Sequence, residues 1–303
     1  MCTSIAMNKS RFFFGRNMDI DYSFGECVVN TPRSFPLCFR KTEPAERHYA
    51  FIGTGAVSDN YPLYADAMNE NGLCIAALKF PENAVYSETE REGKINLAPY
   101  EIIPYIMGKC RNLTEVRSLL PEIQISAIPF SKELKLSPLH WHIADKSGSV
   151  VLEKTAEGMK IYDNPAGVLT NNPPFLFHLQ NRIHYENLSP ENPEGIKTAL
   201  GLGTIGLSGD FSPVSRFVKA DYLLKHTPKS SAGINQLFHI LANVSIPKGA
   251  VITPDGKYHF TSYSCAFDTE SLIYCHKTYE NLKIRSIALT AEGNSLTTLE
   301  MNG

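Results

Sequence analysis

The beginning of the chain constrains its fold more than any other stretch. Residues 2–7 predict a β-strand, residues 8–10 a turn, and residues 11–14 a second strand. Such a hairpin brings the next segment, residues 15–19, back towards Cys2. We therefore expect a thiol, a guanidinium and a carboxylate to meet beside the N-terminus.

The tripeptide Met-Cys-Thr at residues 1–3 predicts a nucleophile if Met1 is removed, because Cys2 would then carry both a thiol and a free α-amine. The ordinary pKa values of these groups are roughly 8.5 and 7.7–8.0, so they can exchange a proton near neutral pH. N-terminal threonine uses the same pairing. By itself the tripeptide favours an inert cysteine on a first strand, and the rest of the sequence has to decide.

Arg16 and Asp19 lie three residues apart in the segment that the hairpin returns to Cys2. A guanidinium stabilises a thiolate, and a carboxylate can orient either the amine or the guanidinium. The alternative interpretation is a surface ion pair, which contributes little to stability.

Composition and charge exclude several classes of protein. The 303 residues carry a net charge of −2, with 43% hydrophobic and 20% charged residues, which is ordinary for a soluble chain of one large domain or two small ones. No basic stripe indicates a nucleic-acid partner, and no apolar run has transmembrane length. The seven scattered cysteines form no Cys-x-x-Cys pair and no secretory pattern is visible, so we expect a cytoplasmic protein without a membrane partner.

The opening motif resembles that of the choloylglycine hydrolases. Met-Cys-Thr at residues 1–3 is followed by Phe-Gly-Arg-Asn-Met-Asp at residues 14–19, and residues 61–73, 167–173 and 211–217 are similar to further landmarks of the same family. The family contains the bile salt hydrolases and the penicillin V acylases, and it belongs to the N-terminal nucleophile hydrolases. Because the resemblance extends through most of the chain, it favours an N-terminal cysteine nucleophile over an inert thiol.

The resemblance implies further catalytic residues. Arg16 and Asp19 would set the electrostatics of the nucleophile together with Arg216, which corresponds to the family's second active-site arginine. Asn171 would donate to the oxyanion, a task that suits an amide because an amide does not become a competing acid. From the residues alone, Asn172 as the donor, a turn before two prolines, and an exposed arginine on a helix remain open.

Lys79 is the main departure from the family. It ends the apolar strand predicted at residues 73–80, where the family usually has asparagine, or tyrosine in some penicillin V acylases. The resemblance implies that the backbone N–H at this position helps to hold the oxyanion, whatever the side chain. The side chain either leaves for solvent, as a lysine stem readily does, or points into the cleft near an anionic leaving group.

The resemblance also places Met18, Phe130 and Leu134 at the substrate. The apolar stretch that contains the last two would form a wall of the cleft, although the edge of a hydrophobic core explains the same pattern equally well. His140 and His142 alternate on a predicted strand and share one face. With two ligands and no visible third, we interpret them as structural residues and not as a metal site.

The order of elements predicts an α+β fold, with strands at both ends of the chain and helices between them. Residue 258 begins a predicted antiparallel meander. The predicted helices cover residues 96–110 with a kink at Pro104, residues 112–121, residues 212–225 and residues 234–244.

The resemblance makes the fold prediction specific. It implies a four-layer αββα sandwich of two antiparallel sheets, formed by residues 1–303 as a single domain. It also implies a homotetramer, in which an excursion around residues 180–210 reaches another subunit.

The expected activity is hydrolysis of the amide bond of glycine- or taurine-conjugated bile salts, without a metal or cofactor. Penicillin V or another N-acyl amide is the alternative substrate within the family. A dinucleotide-binding protein is an interpretation from a different class, because residues 201–206 match the glycine fingerprint. That stretch lacks the preceding apolar strand and the βαβ context that give the motif its meaning.

Overall fold

Antiparallel strands form the frame of the molecule. The computed structural model describes residues 1–197 and 199–302, so Thr198, in the predicted excursion, and Gly303, at the end of the predicted domain, lie outside the described residues. The strands in these ranges are, in chain order, β1 (Cys2–Asn8), β2 (Phe12–Ile20), β3 (Cys27–Thr31), β4 (Phe51–Ser58), β5 (Tyr61–Tyr64), β6 (Asp66–Asn69), β7 (Cys74–Lys79), β8 (Ile95–Leu97), β9 (Ile123–Ile125), β10 (Leu139–Asp145), β11 (Gly148–Thr155), β12 (Gly158–Asp163), β13 (Val168–Leu169), β14 (Phe260–Asp268), β15 (Ile273–Thr278), β16 (Arg285–Ala288) and β17 (Thr297–Glu300).

The predicted N-terminal hairpin forms. Strands β1 and β2 pair in antiparallel register, with Cys2 opposite Met18 and Ser4 opposite Arg16. Strand β2 continues to Ile20, beyond its predicted end, because β14 pairs with it along its other side. The segment expected to follow the strand is therefore part of it, and its alternate side chains point to opposite faces of the sheet.

Two antiparallel sheets result from this pairing. The first has the order β13–β1–β2–β14–β15–β16, so the hairpin lies near its centre. The second has the order β12–β11–β10–β7–β6–β4–β3–β17, with β5 paired to β4. The predicted meander is confirmed for β14 to β16, but β17 leaves it and joins the second sheet beside β3.

Helices cover the outer faces of both sheets. Helices α4 and α5 pack on the first sheet, whereas α1 and α2 pack on the second. No helix in the described part of the chain is long and apolar enough to cross a membrane. The helix bounds are α1 (Ile102–Lys109), α2 (Leu113–Leu119), α3 (Phe175–Asn181), α4 (Pro213–Lys225) and α5 (Ile234–Asn243).

Strand β7 shows how one sequence serves two hydrophobic cores. Its residues Cys74, Ala76 and Leu78 belong to the core shared with the first sheet, whereas Ile75 and Ala77 belong to the core shared with α1 and α2. A strand buried on both faces reads as a continuous apolar run, as this one does. The layers are thus helices, first sheet, second sheet and helices, which confirms the predicted αββα sandwich.

The helix predicted over residues 96–110 is wrong in its first part. Ile95–Leu97 is a short strand that pairs in parallel with Ile123–Ile125, and a 3₁₀ turn at Pro99–Glu101 precedes α1. Long-range pairing overrides local helix propensity here. Helix α1 runs through Pro104 without a break, because this residue lies in the first turn, where a backbone N–H has no intrahelical partner in any case.

The signals for the starts of two helices are confirmed. The Asn112 side chain caps α2 by accepting a hydrogen bond from the Glu115 backbone N–H. The Ser212 side chain caps α4 in the same way, with Pro213 at the first helical position. Because α4 begins where the cap requires, Arg216 is fixed in its first turn.

The glycine-rich stretch at residues 201–206 does not have the surroundings of a dinucleotide site. It contains a 3₁₀ turn at Leu202–Thr204, and the described residues between 186 and 212 hold no strand or α-helix. A phosphate-binding fingerprint requires a strand before the glycines and a helix after them. The geometry therefore gives this alternative no support.

Candidate active site

Cys2 lies at the start of β1 and borders a cleft. Its side chain is only 1% exposed. Arg16 Nη2 donates a hydrogen bond to the Cys2 sulfur at 2.7 Å, and the Met18 sulfur lies 3.7 Å from it. The three side chains share one face of the first sheet, because Arg16 and Met18 alternate along β2 and Met18 pairs with Cys2. The structure thus brings the predicted thiol and guanidinium together.

Arg16 is fully buried, and its second terminal nitrogen is also fixed. Nη1 donates to the C=O groups of Ala65 at 3.0 Å and Ala77 at 2.9 Å, and it lies 3.7 Å from the Asp66 carboxylate. Burial by itself lowers the pKa of a guanidinium, but the negative charges of Cys2 and Asp66, among others, outweigh burial and raise the pKa of Arg16. Arg16 therefore stays charged, and such a charge favours a thiolate over a thiol.

Arg216 approaches Cys2 from the opposite face of the first sheet. Its Nη1 donates to the Cys2 C=O and to the Thr3 Oγ1, both at 2.6 Å. Its Nη2 donates to the Asn171 Oδ1 at 3.0 Å, and its Nη1 forms an ion pair with the Asp19 carboxylate at 3.4 Å. The arginine of β2 therefore contacts the sulfur of Cys2, and the arginine of α4 contacts its backbone.

Asp19 joins the Arg216 side of the sheet to the chain terminus. Its Oδ1 accepts from the Thr261 hydroxyl at 2.6 Å, whereas its buried Oδ2 receives no hydrogen bond from any described residue. The Asp19 N–H donates to the Met1 C=O at 2.9 Å, and the Met1 amine donates to the Asp19 C=O at 2.6 Å. Loss of Met1 would free these backbone groups beside the new amine of Cys2.

Asn171 bridges Cys2 to the second sheet. Its Oδ1 accepts from the Cys2 backbone N–H at 2.6 Å, and its Nδ2 donates to the Lys79 C=O at 2.7 Å. A primary amide carries two N–H donors, so Nδ2 has a second hydrogen for another acceptor. Asn172 instead donates to the Pro81 C=O at 2.6 Å. Of the two asparagines that the sequence offered, Asn171 is the one beside Cys2.

Lys79 ends β7 with its backbone facing Asn171. Ala77, two residues earlier, donates its N–H to the Ala65 C=O, so the N–H of Lys79 points to the same edge of the strand. The Lys79 side chain lines the cleft, and its Nζ donates to the Ser137 hydroxyl at 3.4 Å. Of the two predicted orientations, the structure shows the one that points into the cleft.

The cleft has a volume of about 260 Å³ and a mainly apolar lining. Met18, Phe130 and Leu134, which the resemblance placed at the substrate, all line it. Phe130 packs edge-on against Tyr100 with ring centroids 5.3 Å apart, and Leu134 is 45% exposed, so neither is part of a closed core. The large apolar lining residues that the sequence interpretation missed include Leu63, Tyr100, Ile103, Leu136 and Trp141.

Comparison with known proteins decides the family. Residues 2–300 match the family described as linear amide C–N hydrolases, choloylglycine hydrolase family. This chain belongs to the choloylglycine hydrolases. A bile salt hydrolase/transferase from Lactiplantibacillus plantarum is 44% identical over 303 residues, which cover 96% of this chain and 93% of that protein. A bile salt hydrolase/transferase from Clostridium perfringens is 38% identical and covers 100% of this chain and 97% of its own length.

Two solved structures have the same fold as this chain. The mutant C2A conjugated bile acid hydrolase from Clostridium perfringens superposes with a TM-score of 0.92 at 35% identity, covering 99% of this chain and 97% of that one. A penicillin V acylase from Agrobacterium tumefaciens has a TM-score of 0.80 at 21% identity, covering 99% and 91%. The second likeness concerns the fold alone.

Two histidines hold the Asn171 segment of this choloylglycine hydrolase. His140 donates from Nε2 to the Thr170 C=O at 2.8 Å, and His178 donates from Nε2 to the Asn171 C=O at 2.9 Å. The His140 ring also stacks on Phe80, directly after β7, with centroids 4.3 Å apart. His140 is structural, as interpreted, but no sequence signal showed that it joins the two segments beside the nucleophile.

His142 is likewise a structural residue. Its Nδ1 shares a hydrogen bond of 2.8 Å with the Ser4 hydroxyl, and its Nε2 lies 3.1 Å from the Asn164 amide nitrogen. Burial, assisted by the charge of His140, lowers the pKa of His142 to about 3, so this ring is neutral at physiological pH. Within residues 1–197 and 199–302, no group of three His, Cys, Asp or Glu side chains is arranged to hold a metal ion.

Proposed function

We propose that this chain hydrolyses the amide bond of glycine- or taurine-conjugated bile salts, with Cys2 as the nucleophile. The observation that carries the proposal is a thiol in contact with the Arg16 guanidinium at the border of an apolar cleft. A steroid is a large apolar body, and an apolar cleft with a few polar groups at one end suits it. The relatives at 44% and 38% identity, each named bile salt hydrolase/transferase, support this substrate class.

The proposed reaction begins after Met1 has been removed. The Cys2 α-amine takes the thiol proton, and the thiolate attacks the amide carbon to give a tetrahedral intermediate. The amine then gives the proton to the departing nitrogen, so glycine or taurine leaves and a thioester to Cys2 remains. Water loses a proton to the amine and attacks the thioester, and the sulfur recovers that proton as the bile acid leaves.

The oxyanion would be held by two donors that are already in place. One is the second hydrogen of the Asn171 Nδ2, and the other is the Lys79 backbone N–H on the facing strand edge. The hydrogen bond from the Asn171 Nδ2 to the Lys79 C=O fixes the two residues relative to each other before substrate arrives. Donors oriented in advance cost no reorganisation during the reaction, which is why such sites lower the barrier strongly.

The three charged residues would fix the nucleophile. Arg16 would stabilise the thiolate that attacks, because its Nη2 is the donor to the sulfur. Arg216 would hold the backbone of Cys2, and Asp19 would balance that arginine and orient the free amine. No step uses a metal or cofactor, so we expect full activity in the presence of a chelator.

The Lys79 ammonium would pair with the anionic end of the leaving amino acid. Glycine and taurine conjugates both carry a negative charge on the amine side of the scissile bond. The side chain lies in the cleft and is only half-buried, so it can reach an anion there while retaining some solvent. A charge pair at such a site contributes about 1.4 kcal/mol, roughly tenfold in affinity.

A side-by-side assay of glycocholate, taurocholate and penicillin V tests the substrate class. We expect a higher kcat/KM for both conjugated bile salts than for penicillin V. The opposite ranking would contradict the proposed substrate and assign the chain to the acylase side of the family. The Cys2 mechanism would stand in either case.

Intact mass spectrometry tests the proposed base. The purified protein should lack Met1, because the mechanism requires a free Cys2 amine. In the unprocessed chain the Met1 amine is itself buried against Asp19, which leaves no free amine on Cys2. Full activity in a preparation that retains Met1 would rule out this base.

We infer that residues 1–303 form one domain, assembled as a homotetramer in the cytoplasm. The predicted excursion displays large apolar side chains to solvent, with Ile183 65%, Leu200 93% and Ile205 74% exposed. Clustered exposure of this kind is typical of an interaction surface. Native mass spectrometry at micromolar concentration should show four copies, and a monomer would contradict the assembly.

The proposed location in the cytoplasm is supported by the cysteines. Free thiols in all seven cysteines are in keeping with a reducing compartment, which cell fractionation would test.

A further inference from the structure

Asp66 contacts Arg16 at the guanidinium nitrogen that does not touch the nucleophile. The Asp66 Oδ2 lies 3.7 Å from Arg16 Nη1, whereas Arg16 Nη2 donates to the Cys2 sulfur. Both side chains are fully buried. Because an uncompensated buried charge is very costly, the carboxylate and the guanidinium depend on each other.

Asp66 is itself fixed by both sheets. It begins β6 in the second sheet, and the backbone N–H of Thr54 on the neighbouring β4 donates to its Oδ1 at 3.0 Å. The Tyr263 hydroxyl, from β14 in the first sheet, donates to its Oδ2 at 2.8 Å. The carboxylate that faces Arg16 is therefore a rigid bridge between the sheets and not a free counter-ion.

We propose that Asp66 is a positioning residue that holds Arg16 against the Cys2 sulfur and cancels part of its positive charge. This inference rests on the proposed Cys2 mechanism and adds a residue to it. Without the carboxylate, Arg16 would stabilise the Cys2 thiolate more strongly and so make it less basic. Such a thiolate is a weaker nucleophile, because thiol reactivity falls with basicity along a Brønsted slope of about 0.4–0.5.

The charges around Arg16 balance only when Asp66 is counted. Two arginines and two aspartates sum to zero, so a thiolate and an ammonium on Cys2 form a neutral pair within the cluster. Burial raises the pKa of Asp66, and the charge of Arg16 is the largest effect that opposes it. The titratable and charged groups of this cluster are Cys2 on β1, Arg16 and Asp19 on β2, Asp66 on β6, His259 directly before β14, Tyr263 and Cys265 on β14, and Arg216 on α4.

Asp66→Asn tests the proposal, because it keeps the shape and removes the charge. The readout is the pH profile of iodoacetamide alkylation at Cys2, followed by mass spectrometry of the N-terminal peptide. We expect the midpoint of that profile to move to lower pH by about 0.5–1 unit, since the thiolate gains stabilisation from a less compensated guanidinium. Above the midpoints of both profiles, where the thiol is ionised in either protein, kcat/KM for glycocholate should fall roughly 1.6- to 3-fold, the cost of 0.5–1 unit of thiol basicity.

Asp268→Asn is the matched control. It makes the same change on β14. Asp268 pairs with Phe13 of β2, whereas Cys2 pairs with Met18, five residues further along that strand. The two pairs are thus about 17 Å apart along β2. Its alkylation profile should match that of the wild type. An unchanged midpoint in folded Asp66→Asn would overturn the proposal even if turnover fell, because Asp66 would then support the fold alone.

If Asp66→Asn does not fold, Tyr263→Phe decides. It removes the hydroxyl that donates to Asp66, which favours the neutral carboxyl, so the midpoint should move in the same direction by a smaller amount. An unchanged midpoint would again overturn the proposal. Alkylation needs no substrate, so these outcomes are separate from a failure of the wild type to hydrolyse bile salts.

Discussion

The nucleophile and the neighbouring wall of the cleft are held in different ways. The nucleophile cluster consists of Cys2, Arg16, Asp19, Asn171 and Arg216, and the cleft wall consists of residues 128–138. Every member of the cluster is at most 3% exposed, and hydrogen bonds or ion pairs join them across β1, β2, the segment after β13 and α4. No residue of the wall is buried.

This difference suggests that the nucleophile cluster governs the chemical step and that the cleft wall governs substrate binding. In the cluster each group fixes the next, so the loss of one group displaces several others and effects should be large. In the wall, apolar side chains contribute contacts that are small and nearly independent. Substitutions in the two regions should therefore differ in size and in the kinetic constant that they change.

Cys2→Ala should have the largest effect. Turnover of glycocholate should fall at least about 10³-fold, because Cys2 supplies the only thiol among the described residues that line the cleft. The fold should remain, which circular dichroism and thermal unfolding would check. The exposed thiol of Cys38 provides the control: Cys38→Ala should retain activity and rapid inactivation by iodoacetamide. Substantial turnover by Cys2→Ala would reject covalent catalysis.

Asn171→Ala should rank second. Removal of one oxyanion donor costs about 10²–10³ in kcat, and here the amide also holds the Cys2 backbone N–H. Asn172→Ala is the matched control, since its amide donates to Pro81 and not to the cluster. A loss of equal size in both variants would mean that the segment matters for folding and that Asn171 has no special role.

Lys79→Met should have an intermediate effect on KM. We expect a KM for glycocholate several-fold higher, with a smaller change for an uncharged amide of the same bile acid. The KM of the wild type should rise more steeply with salt than that of the variant, because screening weakens a charge pair. Lys132→Met, on the exposed part of the wall, is the control, and it should leave the KM for glycocholate and the KM for the uncharged amide unchanged. Equal effects on charged and neutral amides would leave only a backbone role for Lys79.

Leu134→Ala should have the smallest effect. The side chain is 45% exposed, so its loss removes about 1 kcal/mol of contact with the steroid and raises KM about fivefold at most. The kcat and the alkylation rate of Cys2 should stay as in the wild type, since Leu134 has no bond to the cluster. A fall in alkylation rate would show that the wall and the cluster are coupled.

Local sequence predicted the features that depend on near neighbours in the chain. The hairpin follows from the alternation and the turn in residues 2–14, and it places Arg16 on the same face as Cys2. The cap of Ser212 and Pro213 placed Arg216 in the first turn of α4. The helix predicted over residues 96–110 was wrong in its first part, because the backbone hydrogen bonds there are made to β9 in a parallel strand pair. No local sequence pattern reveals that pairing.

The sequence by itself predicted Cys2 as the nucleophile, and it determined the hairpin that carries Cys2, the caps of two helices and, through resemblance, the family and its layers. Only the tertiary structure decided that the two arginines approach Cys2 from opposite faces, and that Asp66 lies behind Arg16. It also decided that Lys79 points into the cleft. The physical reason is that strand alternation fixes the face of a side chain, whereas its partner across that face depends on sheet order and stacking, which are set by contacts between residues far apart in the chain.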